Sequence, residues 1–199
     1  MKRYIITVLL ALMGFSIWAA VGCDLNDPDK DVARLFPGST GYKTSYRNLS
    51  REGGKDLLAR LEGRLGDKFS GLYETMDVPY TLYSIYKGKA LIGYIHGVNQ
   101  KGRYGGIQIF LSLDTSGKIL NMYFQKISSK NAKAYKAASF TDQFKGLNLK
   151  DFAGWEVAKA KGSGKLASIK NPATSDPDFA AIMRGVKKNL VLMQHFAGW

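Results

Sequence analysis

The chain has 199 residues, of which 45% are hydrophobic, 12% aromatic and 23% charged, and its formal net charge is +13. This composition excludes a disordered, collagen-like or coiled-coil protein, and the length suits one domain better than two. One cysteine and two histidines exclude a disulfide framework, a zinc–cysteine cluster, a cysteine-bound iron–sulfur centre and covalent c-type haem. We therefore expect a non-metal cofactor, or none.

The first 22 residues have the pattern of an export signal. Lys2 and Arg3 precede an apolar run, Tyr4 to Met13, and small residues lead up to Cys23. A basic start, a short apolar core and a small-residue junction are typical of a signal peptide. The stretch from residue 4 to residue 22 is also about long enough to cross a bilayer core, so an uncleaved anchor is the alternative.

The junction Ala19-Ala20-Val21-Gly22-Cys23 resembles the bacterial lipobox, in which the cysteine is lipidated on its thiol and becomes the mature N-terminus. The resemblance implies a lipoprotein with a signal peptide over residues 1–22 and a lipid on Cys23. Asp24 directly after that cysteine implies retention on the periplasmic face of the inner membrane in a Gram-negative cell, or on the outer face in a Gram-positive one. The uncleaved anchor also leaves the folded part outside the cytoplasm.

The predicted location outside the cytoplasm limits the partners that the positive charge can attract. Lys2 and Arg3 lie in the signal, so the formal net charge of the remaining chain falls from +13 to +11. An exported chain meets lipid headgroups and other exported proteins rather than nucleic acid, so the charge predicts docking on an anionic membrane or an acidic redox partner. Solvated lysines that keep the protein soluble are the alternative.

The remaining chain divides into a tether, a sheet region and a C-terminal helix. The polar stretch 24–31 predicts a linker, which assigns residues 23–34 to the tether and 35–199 to one domain. Leucine spacing predicts a helix over 55–65. Two hairpins are predicted, with strands at 80–86 and 90–98 and at 106–113 and 118–125, and a helix over 131–144. Strands with helices before and after them indicate an α+β domain, an antiparallel sheet of hairpins packed with helices.

The last helix has a clear predicted start, with Asp176 as its N-cap and Pro177 at its first position. Apolar residues from Phe179 onward fall on one stripe, which we assign to the core. The other face carries the basic residues Arg184, Lys187 and Lys188.

Short stretches of the chain, in order, resemble the FMN-binding domain of bacterial exported flavoproteins. The matching stretches are LFPG from Leu35, IGYI from Ile92, YGGI from Tyr104, LDTSGKI from Leu113, QFKG from Gln143 and PATS from Pro172. That domain occurs in the Rnf and Nqr electron-transport complexes and in the periplasmic part of the nitrous-oxide reduction regulator. The resemblance implies FMN as cofactor, a redox partner protein, and a carrier of electrons rather than a turnover enzyme.

In that family the signature Asp-x-x-Ser-Gly-Ala-Thr precedes the last helix, and a flavin transferase esterifies its threonine with the FMN phosphate. The resemblance places Thr174 at the attachment position and Ala173 at the alanine. Asn171 stands for the serine, Pro172 for the glycine and Ser168 for the aspartate. Whether FMN is bound covalently therefore stays open.

Further candidates for cofactor binding lie around the same helix start. The run from Ser128 and Ser129 to Asn131 occupies the place of a family turn that helps to hold the flavin. A helix N-terminus offers free N–H groups to a phosphate, and the hydroxyls of Thr174 and Ser175 precede it. The carboxylates of residues 176 and 178 would oppose a dianionic phosphate there and could instead cap the helix. If the flavin is not covalent, the nearby Lys161, Lys165 and Lys170 could offset these carboxylates.

Tyr104 and Gly105 complete the candidate set, because a glycine lets backbone approach a ligand closely, although a bulge would explain it equally well. His96 is expected to be an ordinary strand histidine, with a position facing a flavin edge as the alternative. No catalytic or metal-binding residue is predicted. Two functions remain open, a membrane-anchored FMN electron-transfer protein and a flavin-free, membrane-tethered binding or assembly module of the same fold.

Overall fold

A computed structural model of the protein describes residues 22–199, so nearly all of the predicted signal peptide lies outside the described residues. Its centre is a five-stranded antiparallel sheet in the order β1-β2-β3-β4-β5, with each strand beside its neighbour in sequence. The strands are β1 Gly41–Arg47, β2 Tyr80–Lys87, β3 Ala90–Lys101, β4 Gly106–Leu113 and β5 Ile119–Ile127.

Seven α-helices surround this sheet in the described part of the chain, and the prediction of an α+β domain is confirmed. They are α1 Pro28–Leu35, α2 Leu49–Glu52, α3 Gly54–Leu65, α4 Ala132–Lys136, α5 Ala138–Thr141, α6 Leu149–Phe152 and α7 Asp178–Ala197. Two short strands, β6 Trp155–Glu156 and β7 Lys161–Gly162, form a separate ribbon. None of the helices within residues 22–199 combines the length and the apolar character needed to cross a bilayer.

The strand register defines two ends of the sheet. Arg47 pairs with Tyr80, Lys101 pairs with Gly106, and Ile107 pairs with Ile127. We call this end of the strands the Tyr80 end of the sheet. The opposite end carries the tight turns after β2 and β4.

Both faces of the sheet are buried, which explains why its strands alternate imperfectly between apolar and polar residues. Helix α7 lies mainly on β3 and β4, with α3 beside it, and together they cover the larger core. The opposite face is covered by the N-terminal segment, whose buried residues Cys23, Leu25, Val32, Leu35 and Phe36 pack on Tyr83, Ile85, Ile95 and Phe110.

The predicted tether is therefore wrong as a description of residues 23–34. Asp27 caps α1 by accepting a hydrogen bond from the backbone N–H of Lys30 (3.2 Å), and Pro28 occupies the first turn. Leu25 is 4% exposed and its N–H donates to the Tyr83 hydroxyl (3.1 Å). The domain therefore includes this segment and does not begin at Leu35.

Two predicted helices also differ from the structure. The segment 131–144 is not one helix, because Ala137 is extended (φ −68°, ψ 143°) and separates α4 from α5, which runs into a 3-10 turn. Helix α7 begins at Asp178, so Pro177 precedes it. Asp176 nevertheless serves the helix start, because its carboxylate accepts from the N–H of Asp178 (2.8 Å).

Gly185 lets α7 approach the sheet closely. A Cβ built at this position would lie 2.6 Å from Cδ1 of Ile109, a fully buried side chain, and 3.2 Å from Cβ of Gln100. We expect Gly185→Ala to lower the free energy of unfolding by about 1–3 kcal/mol through overpacking.

The matched control for this substitution is Gly63→Ala in α3, where a Cβ would meet nothing within 4 Å. Alanine is the better helix former, so this variant should gain up to about 1 kcal/mol. Urea denaturation of both variants measures the difference. Equal shifts in the two would show that helix propensity, and not the contact with the sheet, decides the effect at Gly185.

Candidate functional site

Three segments that are distant in sequence meet at the Tyr80 end of the sheet. These are the turn between β3 and β4, the residues that follow β5, and the loop that precedes α7. Gly105 lies against Ser128, since a Cβ on this glycine (φ +141°) would be 3.0 Å from the Ser128 Cβ. The backbone N–H of Ser128 donates to the carbonyl of Gly106 (3.1 Å). Gly105 and Ser128, which the sequence analysis named as candidates, therefore lie side by side.

The start of α7 is bonded to both of these segments. The backbone N–H of Arg103 donates to Oδ1 of Asp178 (2.6 Å), which ties the β3–β4 turn to the first turn of the helix. The side-chain amide of Asn131 donates to Oδ2 of Asp176, which ties the segment after β5 to the same place. Seven residues of the three segments are thus joined by contacts and hydrogen bonds, although sequence reasoning gave none of these bonds.

The loop that carries Thr174 is held in place by hydrogen bonds to the side chain of Asn171. Oδ1 of Asn171 accepts hydrogen bonds from the Tyr135 hydroxyl (3.3 Å) and from the N–H of Ala173 (3.0 Å). Ser175 adopts a left-handed conformation (φ +60°), which residues other than glycine rarely adopt. Thr174 and Ser175 are exposed, whereas Asn171 positions the loop.

Tyr104 presents an aromatic ring on the same surface. Its side chain is 49% exposed, and Nζ of Lys130 lies 5.0 Å from the ring centroid, within the range of a cation–π contact. The hydroxyl of Ser129 accepts from the N–H of Asn131 (3.2 Å). We call the set Tyr104, Ser128, Ser129, Thr174 and Ser175 the junction surface.

The charge at the helix start does not suit a free phosphate. Asp176 and Asp178 are both buried. The carboxylate of Asp176 accepts a hydrogen bond from the backbone N–H of Asp178, which is a group at the helix start that a phosphate would need. The Oδ2 atom of Asp178 is buried without a hydrogen-bond partner among the described residues. A dianion placed here would therefore face two carboxylates in a region of low dielectric.

Cys23 lies on the sheet face opposite α7 and is 4% exposed. Burial, followed by the neighbouring charge of Asp24, raises the pKa of its thiol to about 12. The carbonyl of Gly22 accepts from the Asn99 side chain (2.8 Å), which brings the chain in at the Tyr80 end. A lipid on Cys23 thus requires this residue to leave its buried position.

A cluster of buried ions, absent from the sequence predictions, joins α7 to the loop between α3 and β2. Glu74 accepts from Nη1 and Nη2 of Arg184 (2.7 and 3.0 Å) and from Nζ of Lys188 (2.6 Å). Burial alone would raise the pKa of Glu74, but these two cations outweigh it and hold the pKa below its usual value. Burial lowers the pKa of Lys188, and Glu74 opposes that shift.

The outer side of this cluster opens into a cleft of about 500 Å³ between the loop 67–74 and the end of β3. Arg184 lies at the cleft, but its side chain is committed to the protein. Besides Glu74, it donates to Asp67 (2.6 Å), to Gln100 (2.9 Å) and to the carbonyl of Lys68 (2.9 Å). The cluster holds the loop in place and leaves no N–H of Arg184 free for a ligand.

His96 is a buried strand residue, as the sequence predicted. Its Nδ1 lies 2.9 Å from Oδ1 of Asn189, an acceptor, so this nitrogen carries the proton, and Nε2 is buried without a partner among the described residues. Burial lowers its pKa to about 4, against the opposing effect of Asn189. It lies beneath α7 and does not contribute to the junction surface.

No family model and no curated protein matches the chain. Within residues 22–199, no group of three His, Cys, Asp or Glu side chains is arranged to hold a metal ion. The protein is thus an α+β domain in which the β3–β4 turn, the residues after β5 and the start of α7 meet and form one surface.

Proposed function

We propose that the protein is a membrane-anchored, extracytoplasmic electron-transfer protein that carries one FMN on the junction surface. The observation that supports this function is the convergence of the three candidate segments, joined by the bonds of Arg103 to Asp178 and of Asn131 to Asp176. A lipid on Cys23 would anchor the protein at the periplasmic face of the inner membrane.

The residues of the junction surface fit a flavin held through its ring and through an ester. Thr174 is exposed at the top of its loop and can accept a phosphoester from a flavin transferase. Tyr104 offers an exposed ring for stacking, and Ser128 and Ser129 offer hydroxyls for hydrogen bonds to ring heteroatoms. When bound, FMN would supply the one- or two-electron chemistry.

The same residues do not fit an FMN held by its free phosphate alone. Asp176 and Asp178 occupy the helix start and carry charge of the same sign as the phosphate. An ester at Thr174 lowers the charge of the phosphate and removes the need for the helix N–H groups. We therefore expect the flavin to be covalent if it is present.

Thr174→Ala should abolish flavin incorporation in a host that expresses the flavin transferase. The wild-type protein should be yellow, and its flavin should precipitate with the chain in acid. The matched control is Thr115→Ala, an exposed threonine in the turn at the other end of the sheet, and it should keep its flavin. Flavin that stays in the acid supernatant of the wild type, or Thr174→Ala protein that stays yellow, would overturn the ester.

The second candidate function is a flavin-free, membrane-tethered binding or assembly module. The specific observation in its favour is that Asp176, Asp178 and Asn131 satisfy the helix start from within the protein. The departures from the attachment signature at Asn171 and Pro172 point the same way. A colourless wild-type protein from a host with an active transferase would support this module and exclude the electron carrier.

A further inference from the structure

We propose that the Tyr80 end of the sheet lies directly on an anionic lipid bilayer, which it contacts through Leu72, Lys101, Arg103, Tyr104 and Lys130. We call these five residues the docking surface. The inference rests on the proposed lipid anchor at Cys23 and adds the orientation of the domain on the membrane. The occupant of the surface is the bilayer itself.

The first argument is the absence of a slack linker between the anchor and the domain. Asp24 accepts from the Thr81 hydroxyl through its side chain and from the Gln125 amide through its carbonyl (2.9 Å), and Leu25 donates to Tyr83. Only Cys23, the first residue that remains after the predicted cleavage, can leave the domain while these bonds hold. Each extended residue spans at most about 3.6 Å, so the anchor keeps this point of the domain within a few ångströms of the bilayer.

The second argument is the place in the fold from which the anchor emerges. Asp24, the residue after the lipidated cysteine, accepts from the hydroxyl of Thr81, which directly follows Tyr80 at the start of β2. The anchor therefore emerges at the Tyr80 end and not beside the turns at the other end.

The docking surface lies at the same end of the sheet and combines basic and apolar side chains. Tyr73 and Gly71 line the same cleft as Lys101 and Gly102, so the loop that carries Leu72 lies beside the β3–β4 turn. Leu72 and Tyr104 are 46% and 49% exposed, among the five exposed large hydrophobic side chains of the described residues. Exposed apolar and aromatic groups set among cations are typical of an interfacial contact with lipid.

The charge of the docking surface is free to act on lipid. Lys101, Arg103 and Lys130 are exposed, and within residues 22–199 none of them pairs with a carboxylate. The acidic side chains nearby are engaged elsewhere, Asp67 with Arg184 and Asp24 with Thr81.

The orientation can be measured on the full, lipidated chain in vesicles. Leu72→Cys, which lies outside the junction surface, is labelled with a thiol-reactive fluorophore, and Lys89→Cys in the turn after β2 is the control. Vesicles contain either phosphatidylglycerol with phosphatidylcholine or phosphatidylcholine alone, with bromine on the acyl chains as quencher. We expect quenching at position 72 in the anionic vesicles and none at position 89.

Charge reversal tests the same contact without a change at the label. Each basic residue near an anionic surface is worth about a fivefold change in the docking equilibrium, so loss of the three positive charges alone should shift it by about a hundredfold. The reversals Lys101→Glu, Arg103→Glu and Lys130→Glu together should shift it further. This triple variant should lose the quenching at position 72. The matched control reverses Lys87, Lys89 and Lys118, which are exposed at the other end, and should retain it.

Flotation of the vesicles separates the two ways in which the proposal can fail. Protein that does not float with the vesicles at high salt lacks the lipid anchor, which overturns the anchor and the orientation together. Protein that floats but shows equal quenching at positions 72 and 89 overturns the orientation alone and leaves the basic surface to an acidic protein partner.

Discussion

Replacing Glu74 with alanine should lower the free energy of unfolding by about 3–5 kcal/mol, because it leaves two buried cations without their shared counter-charge. The side chains of Glu74 and Lys188 are 5% and 1% exposed, and that of Arg184 is 11% exposed. The carboxylate also accepts from the backbone N–H of Ser70 (2.9 Å), so its loss frees a loop amide as well.

The control for this variant is Glu156→Ala, which also removes a carboxylate paired with a lysine. Glu156 pairs with Lys159 at 2.6 Å on the surface, where water screens the interaction, and its loss should leave the urea midpoint nearly unchanged. Lys188→Met in the Glu74→Ala background should recover part of the stability, since it removes the cation that is left without a carboxylate, whereas Arg184 keeps its pairing with Asp67 (2.6 Å). Equal midpoints for Glu74→Ala and Glu156→Ala would contradict the buried cluster.

The ion cluster also explains how the Tyr80 end is held together. The loop 66–79 connects α3 to β2, and α7 anchors it through Arg184, which reaches Asp67, Glu74 and the carbonyl of Lys68. The same loop carries Leu72 and lies against the β3–β4 turn, because Tyr73 Oη would lie 3.1 Å from a Cβ on Gly106. Glu74→Ala should therefore loosen the docking surface in addition to destabilising the domain.

The two hairpins were predictable from the sequence because their determinants are local. The turn after β4 is closed by Asp114, whose carboxylate accepts from the N–H groups of Ser116 (2.8 Å) and Lys118 (3.0 Å), and Gly117 follows in a left-handed conformation. Turn residues between β-branched runs give such a signal in any fold. Strand β1 has polar residues and an exposed edge, so it lacked this signal and was not predicted.

The basic face of α7 could not be interpreted correctly from periodicity. Charged residues opposite an apolar stripe normally face water, yet Arg184, Lys187 and Lys188 are all buried. Their partners lie far away in sequence, since Glu74 is 114 residues from Lys188 and the Trp155 carbonyl accepts from Lys187 (2.9 Å). A helical pattern contains no information about such distant acceptors.

The N-terminal segment did contain a usable local signal. Asp27 followed by Pro28 is a favourable helix start, and Val32 and Leu35 lie three residues apart on one face. The polar residues between them led to the prediction of a linker. At the junction surface, the sequence named segments that meet in the fold, but it could not show that Asn171 supports the loop of Thr174 instead of facing outward.

We expect the free energy of unfolding to fall as the pH is lowered from 6.5 towards 4, because of proton uptake at His96 on unfolding. Its pKa is about 4 in the folded protein and about 6.5 in the unfolded chain, so between these values the unfolded chain binds a proton that the folded protein does not. Stability that is present above pH 6.5 is therefore lost on acidification, by about 2 kcal/mol at pH 5. The carboxylates with lowered pKa values, such as Glu74, act mainly below this window, as their unfolded pKa values lie near 4.

The measurement is the free energy of unfolding in urea at pH 7.5, 6.5, 5.5 and 5.0 for the wild type, His96→Gln and His195→Gln. His96→Gln should be less stable at pH 7.5, because the ring packs against Phe196 (5.6 Å between centroids) and its amide replacement fills the site less well. Its stability should nevertheless stay nearly constant down to pH 5, since no proton is taken up at this position on unfolding. His195→Gln keeps His96 and should therefore lose stability on acidification as the wild type does. Parallel slopes in all three proteins would show that position 96 does not set the acid sensitivity, and that its ring is already protonated or hydrated in the folded state.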